Sequence, residues 1–389
     1  MALNRSRFPG LRDGWARFDA PGGTQPVDAA IAATTEYMSS GTFANYGGPF
    51  PASQRTRAVT DDARASVAAL FGADPAGVVF GPSMSALTFR FAAAVGRTLG
   101  PTDQLVVTRL DHDANVRPWE LVAQRAGASV RYVEPELGSL SLTPAVLAAE
   151  LTDRTRWVAF TAASNVVGSR TDVAALTELA HAAGAGVFVD AVHAAPHVPL
   201  DFAALGCDAL VASAYKWFGP HLGVLCAAPE LLAELEIDKL RASSDAGADR
   251  WDQGTQPFEL LAGAGAAADY VRETGWEAIR AHEGELTRAL IDGLTAIDGV
   301  TLLGAPAART PTVLFTVAGR APAEVAVALA EREIAVGAGS FYAIHLAELL
   351  GLGDAGAVRA GAAHYTSLEE VERLVAAIGE IAAASSGSQ

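Results

Sequence analysis

Between residues 187 and 227 the chain reads VFVDAVHAAPHVPLDFAALGCDALVASAYKWFGPHLGVLCA, which sets Asp190 and His193 at the end of one apolar strand and Lys216 just past the next. An aldehyde cofactor needs a lysine amine to hold it as a Schiff base. Its pyridine nitrogen needs a carboxylate that keeps it protonated, so that the ring can accept electrons. Lys216 and Asp190 have the types and the spacing for a pyridoxal phosphate site. One strand, helix, strand unit separates them, and neighbouring parallel strands bring both side chains to the same carboxyl-end rim.

The elements that must position these groups are legible as short apolar runs alternating with Ala-rich helical segments. The runs are GVVF at 77–80, QLVVT at 104–108, SVRYV at 129–133, RWVAF at 156–160, GVFVD at 186–190 and DALVAS at 208–213. Such alternation predicts an α/β fold with a mostly parallel sheet covered by helices. After Trp251 the pattern changes to a long helical region and then the strand-like TPTVLFTV at 310–317, which reads as a smaller α+β unit.

Two further positions on this frame could do chemistry. GVVF leads through GPSMSAL into a helix whose first free N–H groups would face an anion, with Ser83, Met84 and Ser85 at its start. A plain serine N-cap is the alternative reading of the same residues. His112 follows QLVVTR and precedes a helical segment, so it belongs at the rim with Asp190, where an imidazole can stack on a ring and exchange protons.

Composition narrows the class. The 389 residues, half of them apolar, can bury a large core, and a formal charge of −16 argues against nucleic acid and against acidic membrane surfaces. The start MALNRSRFPGLRDGW has no continuous apolar run, and no stretch reaches the roughly 18 apolar residues of a membrane span. A soluble, cytoplasmic protein is expected. Cys207 and Cys226 lie in or beside apolar strand-like runs and read as buried packing residues, with neither a disulfide nor a metal site expected. Within the terminal AAASSGSQ, residues 383–389 read as a disordered tail.

Nearly the whole chain resembles the class V aminotransferases of fold type I, particularly the branch of cysteine desulfurases and selenocysteine lyases. The likeness is carried by FDAPGGTQP near the start, DHDANVRPW around His112, SNVVG at 164–168, Asp190 to His193, Ser213 to Lys216, GTQPFE at 254–259 and VRAGAAHYTSLEEVERL near the end. The resemblance implies a seven-stranded large domain at 19–261 and a smaller α+β domain formed by 1–18 and 262–389. It implies that Met84, Ser85, Ser213 and Tyr215 meet the cofactor phosphate, with Thr255 reaching it across a homodimer interface. It also implies that Asn165 contacts the phenolic oxygen, that His193 lies by that oxygen or the ring edge, and that Arg359 grips a substrate carboxylate.

One departure bears on the reaction. Desulfurases carry a cysteine upstream of the arginine that matches Arg359, and its thiolate takes the sulfur as a persulfide. This chain reads GAGSFYAIHLAELLGLGDAGAVRAG there and has no cysteine after Cys226. A hydroxyl cannot accept a persulfide, so Ser340, Phe341, Tyr342 and His345 are expected to shape a different substrate pocket, with Tyr342 on the substrate. The expected activity is carbon–sulfur β-lysis of an amino acid or cysteine conjugate without a protein persulfide. Transamination, epimerisation and oxidative deamination are alternatives, as is a non-catalytic sulfur-relay or scaffold protein.

Overall fold

The structure, a computed structural model, describes residues 3–386. In chain order its strands are β1 (Ala16–Arg17), β2 (Val78–Gly81), β3 (Gln104–Thr108), β4 (Ser129–Val133), β5 (Thr155–Thr161), β6 (Gly186–Asp190), β7 (Ala209–Ser213), β8 (Gly223–Ala227), β9 (Val300–Leu303), β10 (Thr312–Val317), β11 (Ile334–Ala335), β12 (Gly337–Gly339) and β13 (Ala357–Gly361). Seven of them form one sheet in the order β2-β8-β7-β6-β5-β3-β4. Strands β3 to β7 are parallel, and β8 runs antiparallel to both β7 and β2. The mostly parallel seven-stranded α/β architecture is present as expected.

Strands β3, β7 and β8 are buried along their whole length. Helices cover both faces of such strands, which is why they read as unbroken apolar runs instead of alternating ones. From β3 the chain passes to the edge strand β4, returns on the other side of β3 as β5, and continues outward through β6 and β7. The strand order therefore reverses between β3 and β5, and a crevice at a reversal of this kind lies outside the carboxyl ends.

The second sheet, β12-β13-β10-β9, is antiparallel, and β1 pairs with β11 beside it. Ala16 and Phe18 share a core with Leu286, Leu290, Phe315 and Val358. The preceding residues behave differently: Phe8 packs edge-on against Phe218, Tyr270 and Tyr365 in the larger core. A boundary at residue 261 falls within the helix Phe258–Thr274, which packs on the helices Asp28–Ser39 and Pro51–Phe71. We therefore propose that the division lies at Gly275, where a φ of 81° breaks this helix from Trp276–Thr295. The last helix runs from Leu368 to Ser386, so residues 383–386 are helical and not a disordered tail; residues 387–389 lie outside the described residues. No helix among the described residues is long and apolar enough to cross a membrane.

Candidate active site

At the carboxyl ends of β5, β6 and β7 a cavity is lined by Lys216, Asp190, His112, Asn165, Ser85 and Tyr215. Met84, His193, Thr161, Ala163 and Val192 complete its wall. The residues singled out from the sequence on three different strand ends are thus brought to one place. Lys216 closes the short turn Ala214–Lys216 after β7 and is buried, with Nζ donating to the carbonyl oxygen of Pro21. Burial, reinforced by the charge of Arg359, pushes its amine down to about 7 although Asp190 pulls the other way.

Asp190 ends β6, and its Oδ1 accepts the backbone N–H of Val192 at 2.8 Å. Burial raises its carboxyl to about 6 against the opposing influence of that N–H and of Lys216. A carboxylate so poorly compensated is suited to a cationic N–H donor such as a protonated pyridine nitrogen. His112 caps the turn Asp113–Asn115 by accepting the N–H of Ala114 at Nδ1, 3.0 Å away, so the neutral ring carries its proton on Nε2. Burial first, then the charges of Lys216 and Arg359, hold its pKa down to about 4.

At the start of the helix Met84–Gly96 the two serines part: the cap is Ser83 and not Ser85, the expected phosphate residue. Ser83 is the N-cap of the helix Met84–Gly96 and accepts the N–H of Ala86 at 3.1 Å. Ser85 is left to line the cavity. Gly223 makes this approach possible: a Cβ there would lie 2.3 Å from the Ser83 carbonyl carbon. Ser213 Oγ is buried without a hydrogen-bond partner, an orphan that an anion would satisfy. Tyr215 stacks on His221 at 4.9 Å between ring centroids, with its ring 5.2 Å from Lys216 Nζ. A lysine for the aldehyde, a carboxylate for the ring nitrogen, an imidazole at the ring and a helix start together with the unpartnered Ser213 hydroxyl fit pyridoxal phosphate.

On the substrate side, Arg359 of β13 is buried, and burial lowers its pKa to about 10 although the charges of Asp19 and Tyr215 pull the other way. Its Nη1 donates to the carbonyl oxygen of Asn165 at 2.8 Å, its guanidinium carbon lies 4.0 Å from the Phe341 ring centroid, and its Nε has no partner. Asn165 also donates an amide N–H to the carbonyl oxygen of Phe341 at 3.1 Å, so part of the donor capacity expected for a phenolic oxygen is already engaged. Phe341 and Tyr342 both adopt positive φ, 57° and 59°. Non-glycine residues in this region are strained, and two in succession mark a segment held by its surroundings.

Other residues singled out from the sequence make contacts of their own. His193 lines the cavity, yet its Nε2 faces Thr310 Oγ1 at 2.9 Å and Thr312 Oγ1 at 3.2 Å. His345 is turned out of the pocket: its ring tilts against Tyr132 and its Nε2 lies 3.7 Å from Glu120, because the short helix Ile344–Leu349 leads it toward that surface pair. Thr255 is exposed on a loop and does not line the cavity of its own chain. Cys207 and Cys226 are buried away from it, and burial pushes the Cys207 thiol up to about 12 and that of Cys226 higher still.

Asp111 escaped the sequence reading. It is buried, accepts from Thr108 Oγ1 and from Asn115 Nδ2 at 2.7 Å, and is pushed up to about 8 chiefly by burial. It ties the turn that carries His112, and the only sequence signal was an acidic residue directly before that histidine.

Residues 17–374 match the family "Aminotransferase class-V". A protein of Mycobacterium tuberculosis (strain CDC 1551 / Oshkosh), "Uncharacterized protein MT3887", is 33% identical over 98% of this chain and 99% of its own. The "Aminotransferase-like protein FGM3" of Gibberella zeae is 31% identical over 96% of each chain. The apo structure of a cysteine desulfurase from Thermococcus onnurineus NA1 superposes with a TM-score of 0.93 at 25% identity, covering 99% of both chains. The strand order, the strand-end cluster around Lys216 and the match over most of the sequence lead to one conclusion: this chain belongs to the class V aminotransferase family, with a fold type I architecture like that of the cysteine desulfurases.

Proposed function

We propose that the chain is a pyridoxal phosphate-dependent enzyme that cleaves the β carbon–sulfur bond of an amino acid or cysteine conjugate and releases the sulfur without a persulfide on the protein. The observation that carries this reading is the convergence of Lys216, Asp190 and His112 on a cavity lined by no cysteine, with the buried Arg359 held beside it. The bound cofactor supplies an electron sink next to the substrate α-carbon.

The protein's own groups divide the remaining work. Lys216 would hold the cofactor aldehyde and would serve as the base for the α-proton; an amine near 7 is neutral often enough to do so at physiological pH. Asp190 keeps the pyridine nitrogen protonated. Arg359 offers a planar fork to the substrate carboxylate, and Phe341 and Asn165 fix the orientation of that fork. Tyr342 stands over His112 where the substrate side chain would lie. A homodimer would bring Thr255 of one chain to the phosphate of the other. The exposed Ile31, Met38, Phe43 and Phe50, all near the N-terminal helix, are apolar groups for such a partner to cover. The acidic net charge suits a soluble cytoplasmic enzyme.

Transamination is the second reading, favoured by the aminotransferase-like designation of the Gibberella zeae relative. A panel of amino acids and S-substituted cysteines separates the two. Pyruvate, sulfide or thiol, alanine and keto acid are assayed together while the visible cofactor band is followed. Lysis yields pyruvate and a thiol in equal amounts. A keto acid that keeps the substrate's side chain, with the cofactor left as its amine, would replace lysis by transamination.

A further inference from the structure

Behind the active site lies a second cavity of about 470 Å³, between the loop after β5, the helix Trp276–Thr295 and the segment 306–311. Three guanidinium groups line it: Arg170, Arg280 and Arg309. In a chain of net charge −16 this concentration of positive charge is unusual. The single carboxylate in the lining, Glu283, is buried and already engaged by His197 Nδ1 at 3.0 Å. Arg170 and Arg280 are exposed at the rim and neither side chain has an ion pair among the described residues. The charge of Arg280 acts on Arg170 with no carboxylate acting against it.

Arg309 forms the floor. Its Nη2 is held by the carbonyl oxygens of Val167 at 2.8 Å and Thr312 at 3.2 Å, while its Nε is buried without a partner. Like charges brought together at a cavity repel one another, and the arrangement is stabilised when an anion enters. Guanidinium groups are also the best matched side chains for the paired oxygens of carboxylates and phosphates.

We infer that this cavity is a binding site for a small oxyanion carrying two or more negative charges, either a phosphate ester or a polycarboxylate. The site is separate from the phosphate position proposed for the cofactor at the start of the helix Met84–Gly96, since the two cavities share no lining residue. It nevertheless shares a wall with the catalytic cavity: Thr310, which lines the anion cavity, bonds His193, and the His193 and His197 rings meet at 5.2 Å.

The test uses protein saturated with pyridoxal phosphate, so that the cofactor position is filled, and follows thermal unfolding while inorganic phosphate or citrate is titrated against sodium chloride of equal ionic strength. The expected result is a saturable rise in Tm with at least one of the two anions and none with chloride. Phosphate alone points to a phosphorylated ligand, citrate alone to a polycarboxylate. The double variant Arg170→Ala, Arg280→Ala should weaken the half-saturating concentration at least tenfold, and both residues are exposed enough to be removed without unfolding the chain. Arg359→Ala should keep the shift. Absence of a saturable rise with both anions, or an equal rise in the double variant, overturns the site. Loss of the rise in Arg359→Ala would reassign it to the catalytic cavity. No outcome depends on turnover, so failure here leaves the proposed reaction untouched.

Discussion

The imidazole of His112 lies stacked on the phenol of Tyr342, with ring centroids 5.1 Å apart and planes 29° from parallel, and the carbonyl oxygen of Tyr342 accepts the N–H of Asp113 at 2.7 Å. The segment that carries Tyr342 is thereby fastened to the turn that carries His112. Its preceding residue, Phe341, is fastened to Arg359 and Asn165.

Tyr342→Ala should leave folding almost unchanged, since the side chain is 68% exposed. Loss of one aromatic pair is worth about 0.5–1.5 kcal/mol. The expected effect is a rise in KM of about two- to tenfold for S-conjugates with bulky apolar groups, and a smaller one for cysteine itself. Equal effects on both would mean that the ring does not meet the substrate side chain.

Lys216→Met should abolish turnover and the absorption of lysine-bound cofactor. It should also stabilise the cofactor-free protein in a pH-dependent way. The folded amine titrates near 7 and the unfolded one near 10.5, so the wild-type chain gains stability as pH rises through that window. The Tm advantage of the variant should be largest below pH 7 and shrink toward pH 10.5. A pH-independent difference would contradict the buried, depressed amine.

Arg359→Lys keeps the charge but loses the fork and the stacking on Phe341. Weaker substrate binding, by about tenfold or more, is expected with the cofactor absorption unchanged. An unaltered KM would point to another carboxylate partner.

Cys207→Ala with Cys226→Ala should retain turnover at a stability cost of about 1 kcal/mol per site. Alkylation during turnover followed by intact mass should find no added sulfur. A gain of one sulfur on either cysteine, with activity lost in the double variant, would falsify the release of sulfur without a protein persulfide.

The alternation of apolar runs with helical segments, and the placing of Asp190 and Lys216 at successive strand ends, were determined by the sequence alone. Both follow from local periodicities and from the rule that parallel strands share one functional edge. His112 was legible for the same reason. The motif resemblance extended the reading to Ser85, Ser213 and Arg359. Contacts between distant segments were decided by the tertiary structure. Lys216 meets Pro21, Arg359 meets Asn165, and His193 is drawn to Thr310 and Thr312 on the other sheet. Likewise Ser83, not Ser85, caps the helix, and His345 turns toward Glu120 while Phe341 packs on Arg359 and Tyr342 on His112. Such outcomes depend on where a backbone turns and on which partner satisfies a buried polar group, and those conditions exist only once the two sheets are packed together.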